Sequence, residues 1–200
     1  MKIILASASP RRAEVLRAAG FEFSVMPAEI DETPNPGEGA VELVERLALL
    51  KARAVAGKLR QPDAAVVLGA DTVVMVDGEI LGKPHTFEMS VTMLRKLQGR
   101  WHEVITGVAL LGLNSAHRGV SATEEMVEHE TTRVQFSRMT DTEIEEYARS
   151  VEPLDKAGAY AIQGRAARFI PRIEGCYFNV VGLPVALITR MLARLRDGER

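Results

Sequence analysis

Apolar residues in this chain come in two kinds of run: short unbroken ones, and longer ones spaced by three or four. Residues 3–6 are of the first kind and predict a buried strand. Ser9-Pro10 then opens a helix to about Ala19, serine suiting the N-cap and proline the first helical position. Gly20 ends it, and residues 21–26 read as a second strand. Residues 27–39 hold Pro27, Pro34, Pro36, Gly37 and Gly39, which predicts a loop. Helical spacing returns over residues 40–59. Residues 64–76 are strand-like, and Asp77-Gly78 predicts a hairpin turn between residues 74–76 and 79–81.

Gly82-Lys83-Pro84 can continue neither a helix nor a central strand. A helix over residues 86–97 follows, with Gly99 just past its end. Residues 104–113 and 126–136 predict two more strands, with a hairpin tip over 114–125. Thr140 and Glu143 have capping-box spacing for a helix to residue 150. A glycine-bearing stretch, 152–164, precedes short strands expected near Phe169 and Val180. Leu183-Pro184 starts a last helix ending near Arg196. Interleaved strands and helices with hairpins predict an α/β fold with a mixed sheet. No repeat or linker divides the chain, so residues 1–200 are expected to form a single domain, with two lobes around a cleft.

Composition narrows the function. The 200 residues are 46% hydrophobic and 26% charged, as in ordinary globular proteins. A net charge of −2 argues against a general nucleic-acid or membrane-surface binder. Cys176 is the only cysteine, so no disulfide within the chain and no cysteine-rich zinc site is expected. The N-terminal apolar run stops at Ser7, short of a signal peptide, and no later run reaches membrane length. A cytoplasmic location is expected.

Ser7-Ala8-Ser9-Pro10-Arg11-Arg12 is the sharpest local signal. Small residues between a strand and a helix N-terminus leave backbone N–H groups free to face an anion. Two arginines in that first turn oppose the helix dipole, which makes sense with an anion between them. The alternative is a plain capping serine with solvated arginines. Val44, Leu47, Lys51 and Ala54 share one helix face, so Lys51 either snorkels outward or reaches into a wet cavity. If Lys51 turns inward to meet an anion, Lys51→Met is expected to preserve stability or raise it, because an apolar side chain of similar length replaces a buried charge, while activity collapses.

Asp71 stands in Val66-Val67-Leu68-Gly69-Ala70-Asp71-Thr72-Val73-Val74, where aspartate is disfavoured and no turn follows. Such a carboxylate is either hydrogen-bonded to neighbouring backbone or a general base or metal ligand. Asp31 and Glu32, in the proline-rich loop, gain meaning only if that loop folds over Asp71. Lys83 and Lys156 each sit in a glycine- or proline-defined loop, and Gln163 carries an amide able to donate and accept. The four histidines lack zinc-ligand spacing, and neither G-x-S-x-G nor the P-loop pattern occurs.

Together these segments resemble the Maf family, the septum-formation-inhibitor-like nucleotide pyrophosphatases. The resemblance rests on Leu5-Ala6-Ser7-Ala8-Ser9-Pro10-Arg11-Arg12, Lys51-Ala52-Arg53-Ala54, Gly69-Ala70-Asp71-Thr72-Val73, Gly82-Lys83-Pro84 and Thr106-Gly107-Val108. Glu152-Pro153-Leu154-Asp155-Lys156-Ala157-Gly158-Ala159-Tyr160-Ala161-Ile162-Gln163-Gly164 and Val181-Gly182-Leu183-Pro184 complete it, in the family's order. It implies a long mixed sheet similar to the inosine-triphosphate pyrophosphatases, a homodimer, and dependence on a divalent cation (Mg²⁺, Mn²⁺ or Co²⁺). It implies Asp71 as proton acceptor, Asp31 with Asp71 on the metal, and Ser7, Arg11, Arg12, Lys51, Lys83 and Lys156 facing the triphosphate. Arg11, Thr72 and Gln163 match the branch acting on dTTP and UTP. The rival readings are a 7-methyl-GTP pyrophosphatase and a non-catalytic nucleotide-sensing regulator of septum formation.

Overall fold

The computed structural model describes residues 2–59, 65–116, 119–150 and 152–198. Its first half runs β1 (Lys2–Leu5), α1 (Pro10–Ala18), β2 (Phe23–Val25), α2 (Ala40–Ala56), β3 (Ala65–Val76), β4 (Glu79–Leu81) and α3 (Phe87–Leu97). The second runs β5 (Trp101–Ala116), β6 (Gly119–Gln135), α4 (Asp141–Ala148), β7 (Arg172–Glu174), α5 (Tyr177–Val181) and α6 (Val185–Gly198). Three short 3₁₀ turns, Pro153–Asp155, Ala157–Ala159 and Arg165–Phe169, lie between α4 and β7. This is the mixed α/β architecture expected: a 7-stranded sheet of order β2-β1-β3-β5-β6-β7, with β4 paired to β3.

β1 lies parallel to both β2 and β3, with Leu5 opposite Val25 and Leu68. Parallel neighbours joined through helices read as unbroken apolar runs, which is why Ile3, Ile4 and Leu5 are all buried. The Asp77-Gly78 turn forms as expected, pairing Val74 with Leu81 and Val76 with Glu79, both turn residues having positive φ. Thr140 and Glu143 form the capping box at the start of α4.

The chain makes two compact units. The first is Met1–Asp71, Thr106–Glu130 and Gly182–Arg200; the second is Thr72–Ile105 and Thr131–Val181. Each has its own core: Ile4, Ala48, Ala52, Val67 and Leu111 in the first, Leu94, Val134, Phe136, Tyr147 and Phe169 in the second. β3, β5 and β6 contribute residues to both.

Two expectations need correction. No strand forms at Phe169 or Val180; Phe169 closes a 3₁₀ turn, Val180 lies in α5, and the strand between them is Arg172–Glu174. Phe169 is apolar because it plugs the second core and Val180 packs against it. β5 and β6 also extend past the apolar runs that suggested them, since strand pairing uses backbone groups whatever the side chains; residues 117 and 118, within the expected hairpin tip, lie outside those described. Among the described residues no helix is long and apolar enough to cross a membrane.

Candidate functional site

The turn from β1 into α1 is organised by Ser7 rather than by the N-cap residue. Ser9 holds the N-cap position, but its side chain makes no capping hydrogen bond. Ser7 Oγ instead accepts from the Ser9 backbone N–H at 3.2 Å and from Arg12 Nη1 at 3.2 Å. Arg12 is buried, and it also donates from Nη1 to the Ala70 carbonyl at 2.8 Å and from Nε to the Gly182 carbonyl at 2.8 Å. Its guanidinium therefore ties the first turn of α1 to the residue before Asp71 and to the turn leading into α6. Burial lowers the Arg12 pKa, while the charges of Asp71 and Glu32 oppose that fall. Arg11, its neighbour, is half-buried.

Two glycines let α2 lie directly on the sheet. A Cβ on Gly69 would stand 2.0 Å from the Ala48 carbonyl oxygen, and one on Gly107 2.3 Å from that of Val44. Asp71 follows Gly69 by two along β3, so both point to the same face. That face meets the α2 stripe carrying Lys51, which is where the helical spacing placed it. Lys51 Nζ sits 2.5 Å from Asp71 Oδ1 and 2.6 Å from Glu32 Oε1. Lys51 and Asp71 are both 8% exposed, so the lysine has turned inward rather than snorkelled.

The proline-rich loop does reach Asp71's neighbourhood, through Glu32 at Lys51. Arg46 on α2 anchors it, gripping the Glu38 carboxylate at 2.5 and 2.7 Å and donating to the Thr33 carbonyl at 3.1 Å. That fork holds the Glu38 carboxyl down to about 2. Asp31 is exposed, and its Oδ1 accepts from the Thr33 backbone N–H at 2.9 Å; the Thr33 side chain first, and then that backbone bond, lower its pKa. The structure thus puts Glu32, which the sequence reading set beside Asp31 without assigning it a role, at the lysine. Among the described residues no group of three or more His, Cys, Asp or Glu is gathered for a metal ion.

Thr72, Lys83, Lys156 and Gln163 belong to the second unit. The loops of Lys83 and Lys156 are joined by a hydrogen bond from the Gly158 N–H to the Gly82 carbonyl, at 3.0 Å. Gly158 has φ 68°, and a Cβ there would stand 2.8 Å from Val74 Cγ2 on β3. Lys83 is exposed; Lys156 Nζ donates to the Glu152 carbonyl at 3.1 Å and pairs with Asp155. Gln163 is exposed in a turn closed by the Gly164 N–H on the Ala161 carbonyl at 3.0 Å.

Two buried phenols brace this region. Tyr147 donates to Glu152 Oε1 at 2.6 Å and accepts from the Ala161 N–H at 3.2 Å. Burial and that carboxylate push the Tyr147 hydroxyl pKa up, so it stays a donor. Tyr160 OH meets His102 Nε2 at 2.8 Å, and burial lowers the His102 pKa to about 4. Neither Tyr147 nor Glu152 stood out in the sequence, although Glu152 heads the long glycine-bearing motif.

A family model described as Maf-like protein matches residues 2–195. A protein of Pelotomaculum thermopropionicum named dTTP/UTP pyrophosphatase is 50% identical over 193 residues, 96% of each chain. One of Symbiobacterium thermophilum with the same name is 50% identical over 193 residues, 96% of this chain and 93% of its own. Among solved structures, the Staphylococcus aureus Ham1 protein matches in fold over 100% of both chains, with a TM-score of 0.50 at 17% identity. Across nearly its whole length, then, this chain belongs to the Maf family.

Proposed function

We propose that this chain hydrolyses dTTP and UTP to the monophosphate and pyrophosphate. The observation that carries the reading is 50% identity, over 96% of both chains, to a protein named for that activity. The site chemistry supports it. A nucleoside triphosphate carries about four negative charges near neutral pH, so catalysis of its cleavage is chiefly positioning and charge neutralisation. In the first unit Lys51 and the anion-facing turn from Ser7 to Arg11 supply positive charge and N–H donors; the family motifs assign Lys83 and Lys156 in the second to the same task. Asp71, held at Lys51 on a rigid strand, is the group that takes or orients the proton of the attacking water. Arg12, with its donors on backbone carbonyls and Ser7, holds the Asp71 end of β3 in place.

A divalent cation completes the proposal. Glu32 and Asp71 are hard oxygen donors converging on one ammonium, which suits Mg²⁺ or Mn²⁺ better than a softer ion. Asp31, one residue away, is the family's acidic position and stands next in line. When bound, the metal would neutralise phosphate charge and acidify a coordinated water. A homodimer working in the cytoplasm on free nucleotides is part of the same reading.

The test is a nucleotide panel run in ¹⁸O-labelled water with added Mg²⁺ or Mn²⁺. Label in the nucleoside monophosphate, pyrophosphate as co-product, and preference for dTTP and UTP are expected. Diphosphate and orthophosphate as products would overturn the pyrophosphatase reading. A preference for 7-methyl-GTP would overturn the branch alone, and saturable binding without product would favour the regulator.

A further inference from the structure

The base-recognising amide is expected at Gln163, yet nothing in its own exposed side chain fixes its direction. The turn that carries it is fixed from below. Residues 161–164 form a tight turn closed by the Gly164 N–H on the Ala161 carbonyl at 3.0 Å. Gln163 occupies its third position. Both ends are bonded to one pair, a buried phenol and a half-buried carboxylate: the Ala161 N–H donates to Tyr147 Oη at 3.2 Å, and the Arg165 N–H donates to Glu152 Oε2 at 3.1 Å. Tyr147 and Glu152 are themselves joined at 2.6 Å.

The fit is close. A Cβ on Gly164 would stand 2.1 Å from Glu152 Oε2, so the carboxylate lies directly beneath the turn's backbone. Tyr147 is 1% exposed in the core of the second unit, and its ring packs edge-on against Phe169. The clamp therefore passes the rigidity of a helix and a packed core to an exposed turn. A phenol that both donates to a carboxylate and accepts from a backbone amide gives the turn one arrangement rather than several.

We propose that Tyr147 and Glu152 are positioning residues for base selection, setting the direction in which Gln163 presents its amide. The inference rests on the function proposed above, in which Gln163 meets a pyrimidine base. It predicts that loosening the clamp costs discrimination between nucleotides more than it costs turnover. A misdirected amide forfeits about one hydrogen bond to the correct base, which is roughly a tenfold loss of preference.

The experiment measures kcat/KM for dTTP and for GTP in the full-length protein and in Tyr147→Phe, Glu152→Gln, Gln163→Ala and the Tyr147→Phe/Gln163→Ala double variant. The ratio of the two values is independent of the fraction of protein correctly folded, so general destabilisation does not move it. Tyr147→Phe keeps the packed ring and should lower the ratio by roughly 5- to 10-fold, mainly through KM for dTTP. Glu152→Gln keeps one acceptor oxygen of two and should fall between that and the unmodified protein. In the Gln163→Ala background, Tyr147→Phe should change the ratio by less than about twofold, because the two act through one group.

An unchanged ratio in both clamp variants overturns the proposal, as does an equal fall with and without Gln163. An unmodified protein that prefers 7-methyl-GTP refutes the pyrimidine reading separately. The clamp is then tested on the ratio for the base it does prefer, and an unchanged ratio again overturns it.

Discussion

Lys51 and Lys156 belong to the same chemical proposal but are held by opposite means. Lys51 grows from a 17-residue helix that two glycines admit onto the sheet, and its ammonium meets the carboxylates of Asp71 and Glu32. Lys156 stands between two short 3₁₀ turns, tethered to a backbone carbonyl and to the exposed Asp155. The first unit positions chemistry by packing regular elements closely. The second does so by stapling irregular turns with side-chain hydrogen bonds, those of Tyr147, Glu152 and Tyr160. Disturbing the first should therefore cost stability, and disturbing the second should cost precision.

Substituting the two lysines gives the largest contrast. An inward Lys51 that meets only phosphate predicts that Lys51→Met preserves or raises stability, since an apolar side chain of similar length replaces a buried charge. The ion cluster reverses that expectation. Asp71, 8% exposed, would be left without its ammonium, and breaking a buried pair from one side costs about 3–5 kcal/mol. Lys156→Met loses bonds to a carbonyl and to an exposed carboxylate, and should cost about 1 kcal/mol or less. Urea midpoints compare the two directly. Adding Asp71→Leu to Lys51→Met should recover much of the loss, although activity stays abolished. A Lys51→Met variant as stable as the parent would show that the cluster contributes nothing to the fold.

Gly69→Ala attacks the packing itself. The new methyl would lie 2.0 Å from the Ala48 carbonyl oxygen and 3.0 Å from the Ala52 nitrogen, both backbone atoms that cannot rotate away. α2 must shift, which costs about 3 kcal/mol and moves Lys51 away from Asp71. Stability and kcat should fall together in this variant, as read by thermal melting and initial rates. Loss of stability with unchanged kcat would mean that the helix position is not what sets the site.

This contrast also explains what the sequence revealed. Lys51 was legible because the helix period assigns faces, and Asp71 because a carboxylate is out of place in an apolar strand; the close approach at Gly69 appears only in the structure. Glu32 was not legible, because no period governs a proline-rich loop; there Arg46 grips Glu38, Asp31 turns to Thr33, and Glu32 meets the lysine. The bonds from Arg12 to the carbonyls of Ala70 and Gly182 gave no sign either, because those groups lie far away in sequence. Phe169 and Val180 misled for a related reason: apolar residues near a core need not belong to a strand. In the second unit, His102 lies 58 residues from Tyr160, and Tyr147 meets Glu152 and Ala161 across irregular turns that no period governs, so neither brace is legible from the sequence.

His102 offers a pH handle on the second unit alone. Its folded pKa is about 4 against an ordinary 6.5, because burial disfavours the charged ring. Between those values the unfolded chain binds a proton that the native state does not, so stability falls as pH drops from 6.5 toward 4. A shift of that size corresponds to about 3 kcal/mol at most by pH 4. His102→Gln should flatten this part of the stability profile, narrowing the gap from the parent as pH falls. An identical slope in parent and variant between pH 6.5 and 4 would exclude His102 as its source.

The smallest effect comes from repeating the Gly69 substitution at a glycine with a different reason to exist. Gly78 sits in the β3–β4 turn with φ 78°, and a Cβ there would meet nothing within 4 Å. Its cost is conformational: alanine in the left-handed region loses about 1–2 kcal/mol, partly offset because alanine also restricts the unfolded chain. Gly78→Ala should therefore cost about 1 kcal/mol and leave kcat unchanged. Gly78→Asn should cost still less, since asparagine tolerates positive φ. At Gly69 the order differs, because there the obstacle is the helix backbone, and any side chain larger than hydrogen meets it. Asparagine at position 69 should thus be at least as damaging as alanine. If asparagine rescued position 69 as it does position 78, backbone conformation rather than the approach of α2 would be the reason for that glycine.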